Sequence, residues 1–239
     1  MQIINLPSSN FKLHQKKRDI RFIIIHYTGM QSLQSAVEKL SAFKYQVSSH
    51  YIISRTGKIF QLVKDNNIAW HSGISNWFNS INLNKNSIGI ELENKGHRYG
   101  YQKFSEIQIT KLTELLKKLK KKFQIKNINI VGHSDIAPNR KIDPGEKFPW
   151  KKLYKNNLAI WHSLDEKFIS YFRYKKIINF NKKNLLKMTK KLGYTRIFLK
   201  GHLDKDFTKA FQRRFRQQLI NGIFDQECYL ILKNLQRFI

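Results

Sequence analysis

The chain has little cysteine, little acid and no long apolar run. Among its 239 residues there is one cysteine, Cys228. A single thiol excludes an internal disulfide and a Cys-rich zinc module. Cys228 falls on the apolar face of a predicted helix and reads as core packing. No run of 18 apolar residues occurs, which excludes a conventional membrane-spanning helix. The opening residues, MQIINLPSSNFKLHQKKRD, lack the apolar segment of a secretory leader. That absence favours a cytoplasmic protein; the alternative is the periplasm or cell envelope, with a leader already removed. Asp and Glu number 16 against 45 Lys and Arg, a net charge of +29. So basic a surface favours polyanionic partners or anionic matrices. For nucleic acid the signal is compositional only, and no specific nucleic-acid partner is expected. Nothing in the sequence bears on oligomeric state.

Apolar residues make up 41% of the chain, enough for real cores and too many for a disordered polymer. The length suits one ordinary domain and a small second one. RFIIIHYT, Arg21 to Thr28, reads as a buried strand ending at His26. Met30 to Phe43 reads as a helix with Leu33, Val37 and Leu40 on one face. SSHYIIS, the turn RTGK and IFQLV form a predicted hairpin, and Ser87 to Glu93 another strand. Ser105 can cap a helix whose apolar side carries Ile109, Leu112, Leu116, Leu119 and Phe123. Its many lysines read as a solvated face. Asn127 to His133 is the last predicted strand. Strands alternating with helices predict an α/β domain, a mixed central sheet flanked by helices, over residues 15–155. A connecting segment follows at 156–180. Residues 181–239 are expected to form a small three-helix bundle, marked by Leu185, Leu186, Met188 and Leu192, then Phe207, Ala210, Phe211 and Phe215, then Cys228, Ile231, Leu232 and Leu235.

The loop GHSDIAPNRKIDPG, Gly132 to Gly145, crowds ionisable groups between glycines and prolines. His26 and His133 sit at predicted strand ends, where a rigid sheet can aim side chains into a cleft. Asp143 lies ten residues beyond His133. Two imidazoles and a carboxylate suit a catalytic zinc with one open position. Zinc lowers the pKa of a bound water from about 15.7 to about 7. Glu91 is a candidate base. Lys141 shares a side with Asp143 if the segment is extended, and is a candidate cation for a developing oxyanion. On spacing alone Asp135 competes with Asp143, and Glu93 with Glu91.

Five ordered pieces make the chain recognisable: IIIHYT, VSSHYIISRTGKIFQLV, AWHSGIS, SIGIELEN and GHSDIAPNRKIDPGEKFPW. Together they resemble the zinc-dependent N-acetylmuramoyl-L-alanine amidases of the type-2 amidase family, over roughly residues 20–150. The resemblance implies that His26, His133 and Asp143 hold Zn2+, that Glu91 is the catalytic carboxylate and that Lys141 polarises the scissile carbonyl. It implies cleavage of the amide between N-acetylmuramic acid, or its 1,6-anhydro form, and L-alanine in peptidoglycan or muropeptides. Asp135 matches no family ligand and is expected to tolerate replacement. The tail, from LLKMTKKLGY through AFQRRFRQQLINGIFDQECYLILKNL, resembles the three-helix peptidoglycan-binding domain. Since every candidate catalytic residue precedes Trp150, the tail is expected to be dispensable for cutting a small soluble fragment. Some relatives carry an Arg nine residues before the catalytic Glu; here Asn82 stands there, with Lys85 a substitute cation.

Tyr27, Trp70 and His71 are candidates for contact with substrate; local packing explains Trp70 equally simply and His71 somewhat better. His50 reads as a buttress of the site. His14, His97, His162 and His202 have no supporting context and default to surface or packing. The alternative function is a non-catalytic peptidoglycan-binding protein. Such members of the family lose a metal ligand, and here all three positions are present.

Overall fold

The fold is built around Phe22–Tyr27, a strand in which every residue but Tyr27 is buried. It pairs in parallel with Ser87–Leu92 on one side and Ile130–Gly132 on the other. Covered on both faces, it needs apolar side chains at odd and even positions alike, hence the unbroken run FIII. Tyr51–Ile53 adds in parallel to Ser87–Leu92, and Ile59–Gln61 returns antiparallel to it. Ile4–Asn5 closes the far edge of this six-stranded mixed sheet. The computed structural model describes residues 1–178, 181–195 and 204–239; His202 lies outside them.

Ser105 caps the helix Glu106–Phe123, its side chain accepting from Gln108 N. Ile109, Leu112, Leu115, Leu116 and Leu119 of that helix enter the main core together with Ile23, Ile25, Tyr51 and Ile90. Leu33–Ser41, capped by Ser32, supplies Leu40 to a smaller cluster with Ile52, Leu62, Val63 and Ala69. Ile52, Glu91 and His26 are register partners across three neighbouring strands. Their side chains therefore share one face of the sheet.

Three differences from the sequence reading stand out. The chain before residue 15 joins this unit: Ile4–Asn5 and Phe11–Lys12 pair with Ile59–Gln61 and Ile68–Ala69. Two-residue strands leave no periodicity to read. His133 does not end a strand but opens the short helix His133–Ile136. The stretch after Trp150 contains the short helices Trp150–Lys155 and Glu166–Ser170.

The C-terminal helices Lys182–Lys191, Lys205–Phe215 and Gln226–Leu235 are present, each with a side-chain cap from Asn181, Asp204 and Asp225. Cys228 is buried, and burial pushes its thiol up to about 12, as befits a packing residue. The bundle is not isolated. Phe207, Phe211 and Phe215 belong to the same apolar core as Phe148, Trp150 and Ile136. Gly193 lies against Trp77, where a Cβ would come within 2.4 Å of the indole. Among the described residues no helix is long and apolar enough to cross a membrane.

Candidate active site

His26 Nδ1, His133 Nδ1 and Asp143 Oδ2 converge at the end of the sheet. Their separations are 3.0 Å between the imidazoles, 3.0 Å from His26 to Asp143 and 3.1 Å from His133 to Asp143. All three residues are buried. Each is carried by a different element: the end of the strand Phe22–Tyr27 (one in from the edge of the sheet), the first residue of a short helix, and the loop that follows that helix. Ser134 N donates to Asp143 O at 2.8 Å, tying that loop back to the helix.

The surrounding hydrogen bonds fix which ring nitrogens carry protons. His133 Nε2 faces Ser72 O at 3.2 Å, and a carbonyl can only accept, so Nε2 is the protonated atom. Ser87 Oγ donates to Leu83 O at 2.6 Å and so accepts from His71 Nε2 at 3.2 Å. His71 Nδ1 is then an acceptor, and His26 Nε2–H donates to it at 3.1 Å. Both Nδ1 atoms of the cluster are therefore unprotonated when the rings are neutral. Three lone-pair donors facing one another repel unless a cation lies among them. This set fits a metal ion.

Electrostatics point the same way. Burial, then His133 beside it, lowers His26 to about 4, so the ring is neutral at pH 7. Burial alone would raise the Asp143 carboxyl, but His133 and His26 hold it well below the usual range, as a carboxylate. A neutral His26 ring and an ionised Asp143 are the states a metal requires of these two side chains.

A cavity of about 340 Å³ opens over the cluster, lined by Glu91 and Lys141 as well as by Tyr27, Trp70, His71 and Lys39. Glu91 is the cross-strand neighbour of His26. It keeps part of its surface on the cleft, but its Oε2 is buried with no hydrogen-bond partner. Burial and then Asp143 push its carboxyl up to about 8, while Lys141 pulls the other way. Glu93, the competing carboxylate, lies past the strand end and accepts from Arg55 N at 2.8 Å.

The profile of the N-acetylmuramoyl-L-alanine amidase family matches residues 16–146. The chain belongs to that family. It is 34% identical over 231 residues to N-acetylmuramoyl-L-alanine amidase AmiD of Escherichia coli, covering 90% of this chain and 82% of AmiD. The 1,6-anhydro-N-acetylmuramyl-L-alanine amidase AmpD of Haemophilus influenzae is 34% identical over 165 residues, 62% of this chain and 88% of AmpD. Among solved structures, AmpDh3 of Pseudomonas aeruginosa in complex with anhydromuramic pentapeptide superposes with a TM-score of 0.78 at 29% identity, over 96% of each chain.

Around this amidase centre the other expected residues take distinct places. Tyr27 lines the cavity with its hydroxyl hydrogen-bonded to His97 Nδ1 at 3.0 Å, and His97 Nε2 pairs with Glu146 at 3.1 Å. His97 was assigned no role from sequence, because a lone exposed His carries no local signal. Burial and Asp143 raise Tyr27 to about 12, so it stays a neutral donor. Trp70 is half-buried on the cavity wall. His71 lines the cavity too, but both of its ring nitrogens are engaged by His26 and Ser87. Its hydrogen-bonding capacity is thus taken up within the protein. His50 accepts from Gly89 N at 3.0 Å and buttresses the strand that carries Glu91. Lys85 does not line the cavity; Lys39 and Arg140 do. Asp135, outside the cluster, is held by three donors. It accepts from Gly132 N at 2.7 Å, from Arg214 at 2.6 Å and from Tyr194 at 2.5 Å.

Gly89 explains why the His71 ring fits. Gly89 pairs with Ile24 on the face that carries His26, and a Cβ there would lie 2.5 Å from His71 Cγ. Gly89→Ala is expected to displace that ring and loosen His26, weakening metal retention about 10-fold or more. Competition with a chromogenic chelator measures it; unchanged retention would detach His71 from the metal cluster.

Proposed function

We propose that the chain uses zinc, held by His26, His133 and Asp143, to hydrolyse the amide between N-acetylmuramic or 1,6-anhydro-N-acetylmuramic acid and L-alanine. The observation that carries this reading is the meeting of three unprotonated donors beside the buried, unpartnered Glu91 Oε2. Two nitrogens and one oxygen are a donor set suited to zinc, with a position left open. When bound, zinc supplies a Lewis acid and acidifies water near neutrality.

The chain's own residues supply the rest. Glu91 takes the proton from the attacking water and returns it to the leaving L-alanine nitrogen. A carboxyl near 8 is poised for both transfers, and neighbouring positive charge biases it toward the ionised form. Lys141 donates to the amide oxygen as negative charge grows there. Tyr27 and Trp70 bound the cleft on the substrate side, and Lys39 offers a cation to a stem-peptide carboxylate. Solved relatives support the choice of substrate: E. coli AmiD has been captured with the substrate anhydro-N-acetylmuramic acid-L-Ala-D-gamma-Glu-L-Lys, at 32% identity and a TM-score of 0.76 over 95% of this chain and 92% of that one.

Metal analysis combined with hydrolysis tests the reading. The full chain should carry about one zinc per molecule. It should lose hydrolysis of an anhydromuramoyl tripeptide in chelator and regain it with zinc. Undiminished hydrolysis after complete metal removal would overturn it. Lys141→Ala should retain zinc while turnover falls about 100-fold or more. Loss of zinc in that variant would move Lys141 from chemistry to metal retention.

A further inference from the structure

The bundle reaches back into the metal site. Arg214, on the helix Lys205–Phe215, is buried, and its Nη1 donates to Asp135 Oδ2 at 2.6 Å. Its Nη2 donates to Ile130 O at 3.1 Å. The guanidinium lies over the Trp150 ring, 4.5 Å from its centroid. Tyr194, just past the first helix of the bundle, donates to the other Asp135 oxygen at 2.5 Å. Asp135 in turn accepts from Gly132 N at 2.7 Å. Gly132 and Asp135 flank His133, so this carboxylate closes the turn that presents His133 Nδ1 to the cluster.

We propose that Arg214 and Tyr194 are positioning residues of the metal site. Acting through Asp135, they set the turn from Gly132 to Asp135 and hence the aim of His133. The inference rests on the metal-site reading above. It also reverses the expectation that the tail is dispensable for a small substrate. Two features make the coupling tight. The planar fork of Arg214 grips a carboxylate and a backbone carbonyl on the same segment, so helix and turn move as one body. The carboxylate is buried, so losing a partner leaves a charged group short of a hydrogen bond. Gly193 reinforces the register: its carbonyl accepts from Phe78 N at 2.8 Å, beside the close contact with Trp77.

The test uses the full chain, and reads zinc affinity by chelator competition alongside kcat and KM for a soluble anhydromuramoyl tripeptide. Activity and zinc binding of the unaltered chain test the function itself, so failure of that reading is seen separately. Arg214→Met should weaken zinc binding about 10- to 100-fold and lower kcat with KM little changed. Arg214→Lys should recover part of the loss, since it restores a cationic partner to Asp135 without the fork. Leu235→Ala, a core truncation in the last helix away from Asp135, serves as control. It should lower the melting temperature while leaving zinc affinity and kcat intact. Should Arg214→Met fail to fold, Arg214→Lys and Tyr194→Phe decide. Zinc affinity and kcat unchanged in both would overturn the proposal. So would Leu235→Ala losing as much zinc affinity as the Arg214 variants, because the effect would then be general loosening.

Discussion

Replacing His133 by Ala should abolish metal binding and turnover together. The side chain contributes one of three donors that lie 3.0 to 3.1 Å from one another, and no other His, Cys, Asp or Glu joins them among the described residues. Its removal leaves Asp143 with His26 alone. Ser72 O would still accept from Arg140, so the loop that carries it should stay in place. The fold should therefore survive, with the loss confined to the metal. Elemental analysis of the folded variant, next to a turnover assay, reads both effects. Full zinc with full activity would sink the ligand assignment.

Glu91→Gln should do two opposite things. Turnover should fall about 100-fold or more, because the amide cannot take a proton from water. The metal-free protein should at the same time become more stable at alkaline pH. In the folded state burial raises this carboxyl from 4.5 to about 8. The folded chain then holds a proton that the unfolded chain has released, so stability declines as pH rises between those values. Gln does not titrate, and the melting-temperature gap between variant and parent should widen from pH 5 to pH 8 in the absence of metal. Zinc, by favouring the carboxylate, should narrow it. If Glu93→Gln were the inactive variant and Glu91→Gln normal, the catalytic carboxylate would be wrongly assigned.

Much of this was legible before any coordinates. FIIIHY announces a strand covered on both faces, Ser105 announces a helix start, and the Cys228, Ile231, Leu232 and Leu235 spacing announces a buried helical stripe. The cluster residues were readable because the GHSD and KIDPG pieces are close in sequence and resemble a family. What was not legible depends on contacts between distant segments. Arg18 counts in the sequence as one more surface charge. In the fold it is buried, donating to the carbonyls of Asp65, Asn84 and Ser87, which fixes the entry to the Glu91 strand. Arg214 is the same case: composition assigns a cation to solvent, and only the docking of the bundle gives it a carboxylate. His71 could not be separated from a substrate contact because its role depends on the space left by Gly89, 18 residues away in sequence. Asp135 looked replaceable because no local pattern reveals three donors arriving from the turn, from Tyr194 and from Arg214.

The central claim is that a water molecule, activated at the His26, His133 and Asp143 site, attacks the lactyl carbonyl next to L-alanine. Hydrolysis of an anhydromuramoyl tripeptide by the zinc-loaded chain in water enriched in 18O, followed by mass spectrometry, tests it most directly. The account predicts one labelled oxygen in the lactyl carboxylate of the released sugar and an unlabelled peptide beginning with a free L-alanine amine. Label in the peptide, or cleavage at any other bond, would contradict it.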